Sequence, residues 1–156
     1  MKRLIIGLTT AAILLTGCGA QSKYKSEDAK LEVYTVNTAK AIRENLNEAG
    51  GVKAGEELNP YHADAKKFRE AIPYIEAFKK DIKADKLSND KRALYEDLLT
   101  ALRPYDKFAE LAKEDNDAAF AWEFKSLPKN EFLHVAEYYT DSYRDGEYKP
   151  LKDIRD

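Results

Sequence analysis

Glycine is almost absent from the long central part of this chain. After residue 19 it occurs only at Gly50, Gly51, Gly55 and Gly146, and the ninety residues 56–145 contain none. Tight β-hairpin turns favour glycine, so its absence argues against a sheet of short, hairpin-connected strands. Apolar residues recur instead at intervals of three and four, which is the spacing of one helix face. The sequence therefore predicts an all-α fold, an antiparallel bundle of four to five helices.

Caps and apolar stripes place four helices along the chain. The first begins after Ser26 as N-cap, has acidic residues in its first turn and ends at Gly50-Gly51. The starts of the other three are marked by capping residues or prolines: Asn59-Pro60, Ser88 and Ser126-Leu127-Pro128. The last helix is expected to end at Gly146.

Three local features of this helical pattern need separate predictions. Pro73 and Pro104 fall inside apolar helix patterns, so each is expected to kink or break its helix. Residues 118–127 alternate aromatic side chains as a strand would, but a single strand would have no partner, so a helix is favoured. Trp122 in this segment is expected to be a core residue. Lys79 falls within the apolar stripe of the second helix, which the pattern alone does not explain.

The first eighteen residues have the layout of an exported protein. Lys2 and Arg3 precede an apolar run, residues 4–15, which ends in Leu15-Thr16-Gly17-Cys18. Twelve helical residues span about 18 Å, too short for a hydrocarbon core of about 30 Å. The sequence at Leu15–Cys18 resembles the lipobox of bacterial lipoproteins. This resemblance implies lipid attachment to the Cys18 sulfur and cleavage of the chain before Cys18.

These signals predict three parts: a signal peptide, residues 1–17; a lipidated cysteine with a short tether, residues 18–25; and a single helical domain, residues 26–156. The expected location is the cell envelope, where the lipid anchor holds the protein to a membrane. In lipoproteins an Asp after the cysteine is associated with inner-membrane retention. Gly19 stands there in this chain, so the resemblance implies the outer membrane if the host has two membranes.

Charge and residue inventory exclude several classes of function. Without its signal peptide the chain has 24 basic and 28 acidic residues, a net charge of −4, which argues against nucleic acid as a partner and against adhesion to anionic lipid. His62 and His134 lack metal-ligand spacing, and neither a nucleophile elbow nor a phosphate-binding loop is found. We therefore expect no metal, no cofactor and no catalytic residues.

The remaining signal is a cluster of tyrosines near the C-terminal end. Tyr and Arg are favoured at interaction hot spots, which makes Tyr138, Arg144 and Tyr148 the candidate binding residues. The surrounding segment, residues 137–145, resembles part of a family of uncharacterised helical lipoproteins of enterobacteria. That resemblance implies an all-helical fold and no particular activity.

The sequence thus favours a lipid-anchored, non-catalytic binding or interaction module of the envelope. It would present a Tyr-rich helical face to another envelope protein or to a cell-wall glycan, and an exclusion or immunity protein is one specific version. The alternative is an envelope hydrolase or transferase whose site is assembled from dispersed residues such as His62 and His134. A third hypothesis places the function in a peptide released from the leader, residues 11–17.

Overall fold

The computed structural model describes residues 23–51, 62–126, 132–135 and 148–155. Throughout these ranges every regular element is helical, which confirms the predicted all-α class. The elements are α1 (Glu27–Ala49), a 3₁₀ segment (Ala65–Glu70), α2 (Ile72–Asp81), a 3₁₀ turn (Ala84–Lys86), α3 (Asn89–Ala101), α4 (Arg103–Lys113), α5 (Asp117–Ser126) and α6 (Leu151–Ile154). Residues 132–135 are also helical. None of the helices in these ranges combines the length and apolar character needed to cross a membrane.

Helix α1 begins and ends at the residues that the sequence predicts. The Ser26 hydroxyl accepts a hydrogen bond from the Ala29 backbone N–H at 3.1 Å, so it caps the first turn. Gly50 is the C-cap, and Gly51 follows with a φ of +69°. A Cβ on Gly51 would lie 3.0 Å from both the Cβ and the carbonyl oxygen of His62. The returning chain therefore packs against the end of α1 only because glycine stands at this position.

Both prolines break their helices rather than kink them. Pro73 lies in the first turn of α2 and Pro104 in the first turn of α4. A proline lacks the N–H that an α-helix needs and its ring clashes with the carbonyl four residues earlier, so it is tolerated only in a first turn. The second predicted helix therefore divides into the 3₁₀ segment and α2, and the third divides into α3 and α4.

The core is organised around Phe68 on the 3₁₀ segment, which packs between α1 and α4. The Phe68 ring lies 5.8 Å from the ring of Phe108 and 6.0 Å from that of Phe120, centroid to centroid. Phe108 and Phe120 are themselves 5.0 Å apart. A second aromatic group joins Phe78 to Tyr95 and Phe132 at 5.4 and 5.5 Å. The first group thus joins α4 and α5 to the segment before Pro73, and the second joins α2 to α3 and to residues 132–135.

Lys79 is explained by a contact between α2 and α4. Its ammonium lies 2.5 and 2.7 Å from the two carboxylate oxygens of Asp106. The side chain is partly exposed, so its charged end stays in solvent while its stem covers the edge of the apolar stripe. A charged residue within the stripe is therefore compatible with the buried face of α2.

The segment at 118–127 is helical in its described part, since α5 continues to Ser126. The prediction for Trp122 is wrong, because its side chain is 71% exposed. Trp122 follows Phe120 by two positions, which is a rotation of about 200° around an α-helix. The Trp122 side chain therefore points away from the face on which Phe120 is buried. The predicted start at Asn59-Pro60 and most of the fourth predicted helix lie outside the described residues.

We expect Phe68→Ala to lower the free energy of unfolding by about 3–5 kcal/mol, because it removes a fully buried ring and leaves a cavity among Phe108 and Phe120. Denaturant unfolding followed by circular dichroism measures the change. Lys67→Ala is the matched control, since Lys67 is exposed on the same 3₁₀ segment. A Phe68 variant as stable as the Lys67 variant would contradict this account of the core.

Candidate functional site

The last described residues form a strap, residues 148–155, that lies against α1 and α2. The Lys149 backbone N–H donates to the Asn37 side-chain oxygen at 2.8 Å, and the Lys149 carbonyl accepts from the Tyr74 hydroxyl at 2.9 Å. The Tyr148 ring packs edge-on against Tyr74, with centroids 4.8 Å apart. The strap is thus bound to both helices through the backbone of Lys149, and to α2 also through the Tyr148–Tyr74 ring contact.

Two buried asparagines on α1 provide the polar surface that binds the strap. Asn37 and Asn45 are eight residues apart, so they lie on one face of the helix. Asn45 donates to the Tyr148 hydroxyl at 3.3 Å, as well as to the Ala41 carbonyl at 2.8 Å. Asparagine is disfavoured inside helices because its side chain competes for backbone groups. Two asparagines inside a helix are therefore a sequence signal for a backbone or hydroxyl partner.

The far end of the strap is fastened to the first described residues of the chain. The Lys23 ammonium donates to the Asp153 carbonyl, and the Tyr24 hydroxyl donates to the Ile154 carbonyl. Ile154 is buried against α1 and α2. Arg155, the last described residue, donates through Nε to the Asp81 carboxylate at 2.7 Å. The first described residues therefore lie beside the end of the strap.

A cavity of about 340 Å³ lies at this point. We call it the basic cleft and define it by its lining: Lys30, Tyr34, Lys80, Asp81, Lys83 and Arg155. These residues come from α1, from α2 and the residues that follow it, and from the strap. Four of the six side chains are cationic and one is a carboxylate. This local excess of positive charge contrasts with the net charge of −2 for the whole chain.

The inner wall of the basic cleft is formed by Tyr34 and Lys30 of α1. Tyr34 is fully buried, and its hydroxyl donates to the Asp81 carboxylate at 3.3 Å. The Lys30 ammonium lies 5.6 Å from the centre of the Tyr34 ring, within range of a cation–π attraction. Because Asp81 Oδ2 accepts from both Tyr34 and Arg155, this carboxylate fixes the positions of two side chains that line the cleft.

The outer groups of the basic cleft present hydrogen-bond donors to solvent. Within residues 23–51, 62–126, 132–135 and 148–155, neither the amino group of Lys80 nor that of Lys83 has an acceptor, and the terminal nitrogens of Arg155 have none. The backbone N–H of Lys83 donates to the Glu27 carboxylate at 2.7 Å, which fixes the backbone while the amino group stays open to solvent. The arrangement can hold an anion by several charge-assisted hydrogen bonds.

The candidate binding residues predicted from the sequence are only partly described. Tyr148 is half-buried, and its ring and hydroxyl are occupied by contacts with Tyr74 and Asn45. Tyr138, Arg144 and the predicted lipidation site Cys18 lie outside the described residues, so their roles stay predictions. Of the three candidate binding residues, the described part of the structure contains Tyr148.

The two histidines considered for a dispersed catalytic site are both exposed. His62 lies beside Gly51 at the end of α1, and His134 lies in the helical segment 132–135. Among the described residues, no group of three or more His, Cys, Asp or Glu side chains is placed to hold a metal ion.

Burial perturbs the tyrosines that hold the strap. It raises the pKa of Tyr74 from 10.0 to about 12, and the neighbouring Tyr148 adds to the effect. The pKa of Tyr148 is also raised, mainly by burial, although the hydrogen bond from Asn45 opposes the rise. Both phenols therefore keep their proton at physiological pH. Their role is packing and hydrogen bonding rather than proton transfer.

We expect Asn37→Ala to lower the free energy of unfolding by about 1–3 kcal/mol, since the Lys149 backbone N–H loses its acceptor. Hydrogen exchange at the Lys149 amide should accelerate more than exchange in α3, because the strap opens locally. Asn47→Ala is the matched control, since Asn47 is exposed on the same helix. Unchanged exchange at Lys149 would show that Asn37 does not hold the strap.

The raised pKa of Tyr74 predicts a loss of stability at alkaline pH. The folded state binds the phenol proton more tightly than the unfolded state, so this stabilisation is complete below pH 10.0 and is lost as the pH rises to about 12. A rise of about two pKa units corresponds to a loss of at most about 3 kcal/mol. Tyr74→Phe should be less stable at neutral pH but should lose less on alkalinisation, as measured by urea unfolding. An equally steep loss in the variant would refute the assignment.

Comparison of the chain with protein-family models, with curated proteins and with solved structures finds no match. The assignment of a site therefore depends on the geometry of the described residues alone. In that geometry the basic cleft is where cationic side chains from separate parts of the chain converge on one cavity.

Proposed function

We propose that this chain is a lipid-anchored protein of the cell envelope that binds an anionic ligand in the basic cleft without transforming it. The observation that carries the proposal is the convergence of four cationic side chains on one cavity, beside the point where the chain enters the fold. The lipobox resemblance at Leu15–Cys18 supplies the anchor. The tyrosine cluster remains a second surface, through which an envelope protein or a cell-wall glycan would be contacted.

The chemistry of the basic cleft supports binding rather than catalysis. Lys80, Lys83 and Arg155 are donors, and an arginine side chain does not lose its proton at physiological pH. The one carboxylate, on Asp81, is bound through Oδ2 to Tyr34 and Arg155, and the described residues that line the cleft include no second carboxylate or histidine to pair with it in acid–base chemistry. A general base would need a group that is free to take a proton from a substrate. The set is therefore suited to holding negative charge in place.

The anchor has a physical consequence for the site. Stable attachment to a membrane takes two or more acyl chains, which is the modification that the lipobox resemblance implies at Cys18. Lys23 and Tyr24 are already held by the strap, so at most residues 19–22 separate Cys18 from the first contact of the fold. The binding site would stay close to the membrane surface.

We expect Cys18→Ala to accumulate as the unprocessed precursor without a lipid label, because the thiol that accepts the lipid is removed. Cells grown with radiolabelled palmitate, followed by immunoprecipitation and gel electrophoresis, measure both label and size. Ser22→Ala, outside the Leu15–Cys18 motif, is the matched control and should be labelled and processed normally. A labelled and correctly processed Cys18→Ala protein would exclude the lipid anchor.

A further inference from the structure

The donors of the basic cleft indicate which anion it takes, an inference that rests on the proposed function. Lys80, Lys83 and Arg155 border one cavity and have nitrogens without an acceptor among the described residues. Positive groups held near one another repel unless an anion lies between them. A ligand with three acceptor oxygens and more than one negative charge would satisfy all three side chains at once.

A phosphomonoester has these properties. Near neutral pH it carries about 1.5–2 negative charges and offers three strong acceptor oxygens, whereas a single carboxylate carries one charge on two oxygens. Lysine binds phosphate as a compact point charge, and arginine binds it through paired N–H groups. We propose that the basic cleft binds a phosphomonoester group through Lys80, Lys83 and Arg155.

Asp81 prepares Arg155 for this role. Its carboxylate binds Arg155 through Nε at 2.7 Å, which leaves the two terminal nitrogens of the guanidinium on the other edge. The Tyr34 hydroxyl donates to the same carboxylate oxygen, so the Asp81 charge is partly neutralised before any ligand enters. A guanidinium held in one orientation loses less side-chain entropy on binding. The acidic residue in the cleft therefore positions a donor instead of repelling the ligand.

The cavity is larger than a phosphate group. At about 340 Å³ it has the volume of a small-molecule site, so it also has room for the group to which the phosphate is attached. Tyr34 and Lys30, both buried, close the cavity at its inner wall. The phosphate would lie at the cationic rim, with the rest of the ligand directed inward or outward along the wall.

The position of the basic cleft points to a membrane lipid as the source of the phosphate. Lys23 is bound to the strap through Asp153, and the Tyr24 ring packs against Tyr34 at 6.3 Å. Cys18 precedes Lys23 by five residues, and five residues span at most about 18 Å. With Cys18 lipidated, the cleft would remain within reach of head groups. Phosphatidic acid is a membrane lipid whose head group is a phosphomonoester. A soluble phosphomonoester is the other source of the same group.

Lysine footprinting of the mature, full-length lipoprotein in nanodiscs tests this proposal. Reductive methylation followed by mass spectrometry reports the reactivity of Lys80 and Lys83, with exposed Lys67 and Lys125 as internal references outside the cleft. Four arms are compared: phosphatidylcholine alone, phosphatidylcholine with phosphatidic acid, phosphatidylcholine with soluble glycerol 3-phosphate, and phosphatidylcholine with succinate. Succinate matches the charge of a phosphomonoester but distributes it over two carboxylates.

At a ligand concentration about ten times its Kd, the reactivity of Lys80 and Lys83 should fall about tenfold, since only the unbound fraction reacts. Protection only by phosphatidic acid assigns a lipid head group, and protection by glycerol 3-phosphate assigns a soluble ligand. Both results support the phosphomonoester. No protection in either phosphate arm, equal protection by succinate, or equal protection at Lys67 and Lys125 would overturn it.

A pair of double variants tests the same point by affinity. Lys80→Gln with Lys83→Gln should weaken binding about a hundredfold, since each charge-assisted hydrogen bond is worth about tenfold. Lys67→Gln with Lys125→Gln removes the same charge elsewhere and should change affinity little. Calorimetric titration uses glycerol 3-phosphate or short-chain phosphatidic acid, whichever protects. If both double variants lost the same affinity, the effect would come from the net charge of the protein and the proposed site would be rejected. Palmitate labelling of Cys18 is independent, so loss of phosphate binding with intact labelling rejects the ligand and not the anchor.

Discussion

The packing of Phe68 between α1 and α4 is the constraint on which the rest of this fold depends. Its ring meets Phe108 and Phe120, so one buried side chain fixes the separation of three helices. The 3₁₀ geometry of its segment follows from Pro73, which prevents α2 from extending backwards. Helix α2 also packs against α1, and its Ile72, Ile75 and Phe78 belong to the same buried core as Phe68. Tyr34 of α1 belongs to this core and also lines the basic cleft, so the packing of the core positions the inner wall of the cleft.

The strap could not hold its conformation without α1 and α2. Its one regular element, α6, is a single turn of four residues, far below the length at which an isolated helix is stable. Its backbone is satisfied by side chains from elsewhere: Asn37, Tyr74 and Tyr24. Arg155 directly follows α6. The position of this cleft residue therefore depends on the side-chain amide of Asn37, in the middle of α1, which binds the strap. Disruption of the strap is therefore expected to displace Arg155 in the basic cleft before it perturbs the packing of the core.

Local signals predicted much of the fold, and distant contacts explain what they missed. Ser26 and Gly50 mark the ends of α1 because caps act on neighbouring backbone groups, and Pro73 acts in the same local way. Trp122 was misassigned because hydrophobicity alone does not say which face of a short helix is covered. The basic cleft was not predicted, since its residues lie far apart in the sequence and meet only through the packing of α1 on α2 and the binding of the strap. Two mid-helix asparagines were the available clue.

Net charge and local charge act over different distances in this protein. At an ionic strength of about 0.15 M, exposed charges more than about 8 Å apart are largely screened, so the overall charge of −2 has little influence inside one cavity. The acidic surface still disfavours broad adhesion to anionic head groups, which depends on many weak contacts. A ligand that enters the basic cleft meets Lys80, Lys83 and Arg155 at close range instead. The combination would select a single anionic group by its fit to three donors, while the rest of the surface stays clear of the membrane.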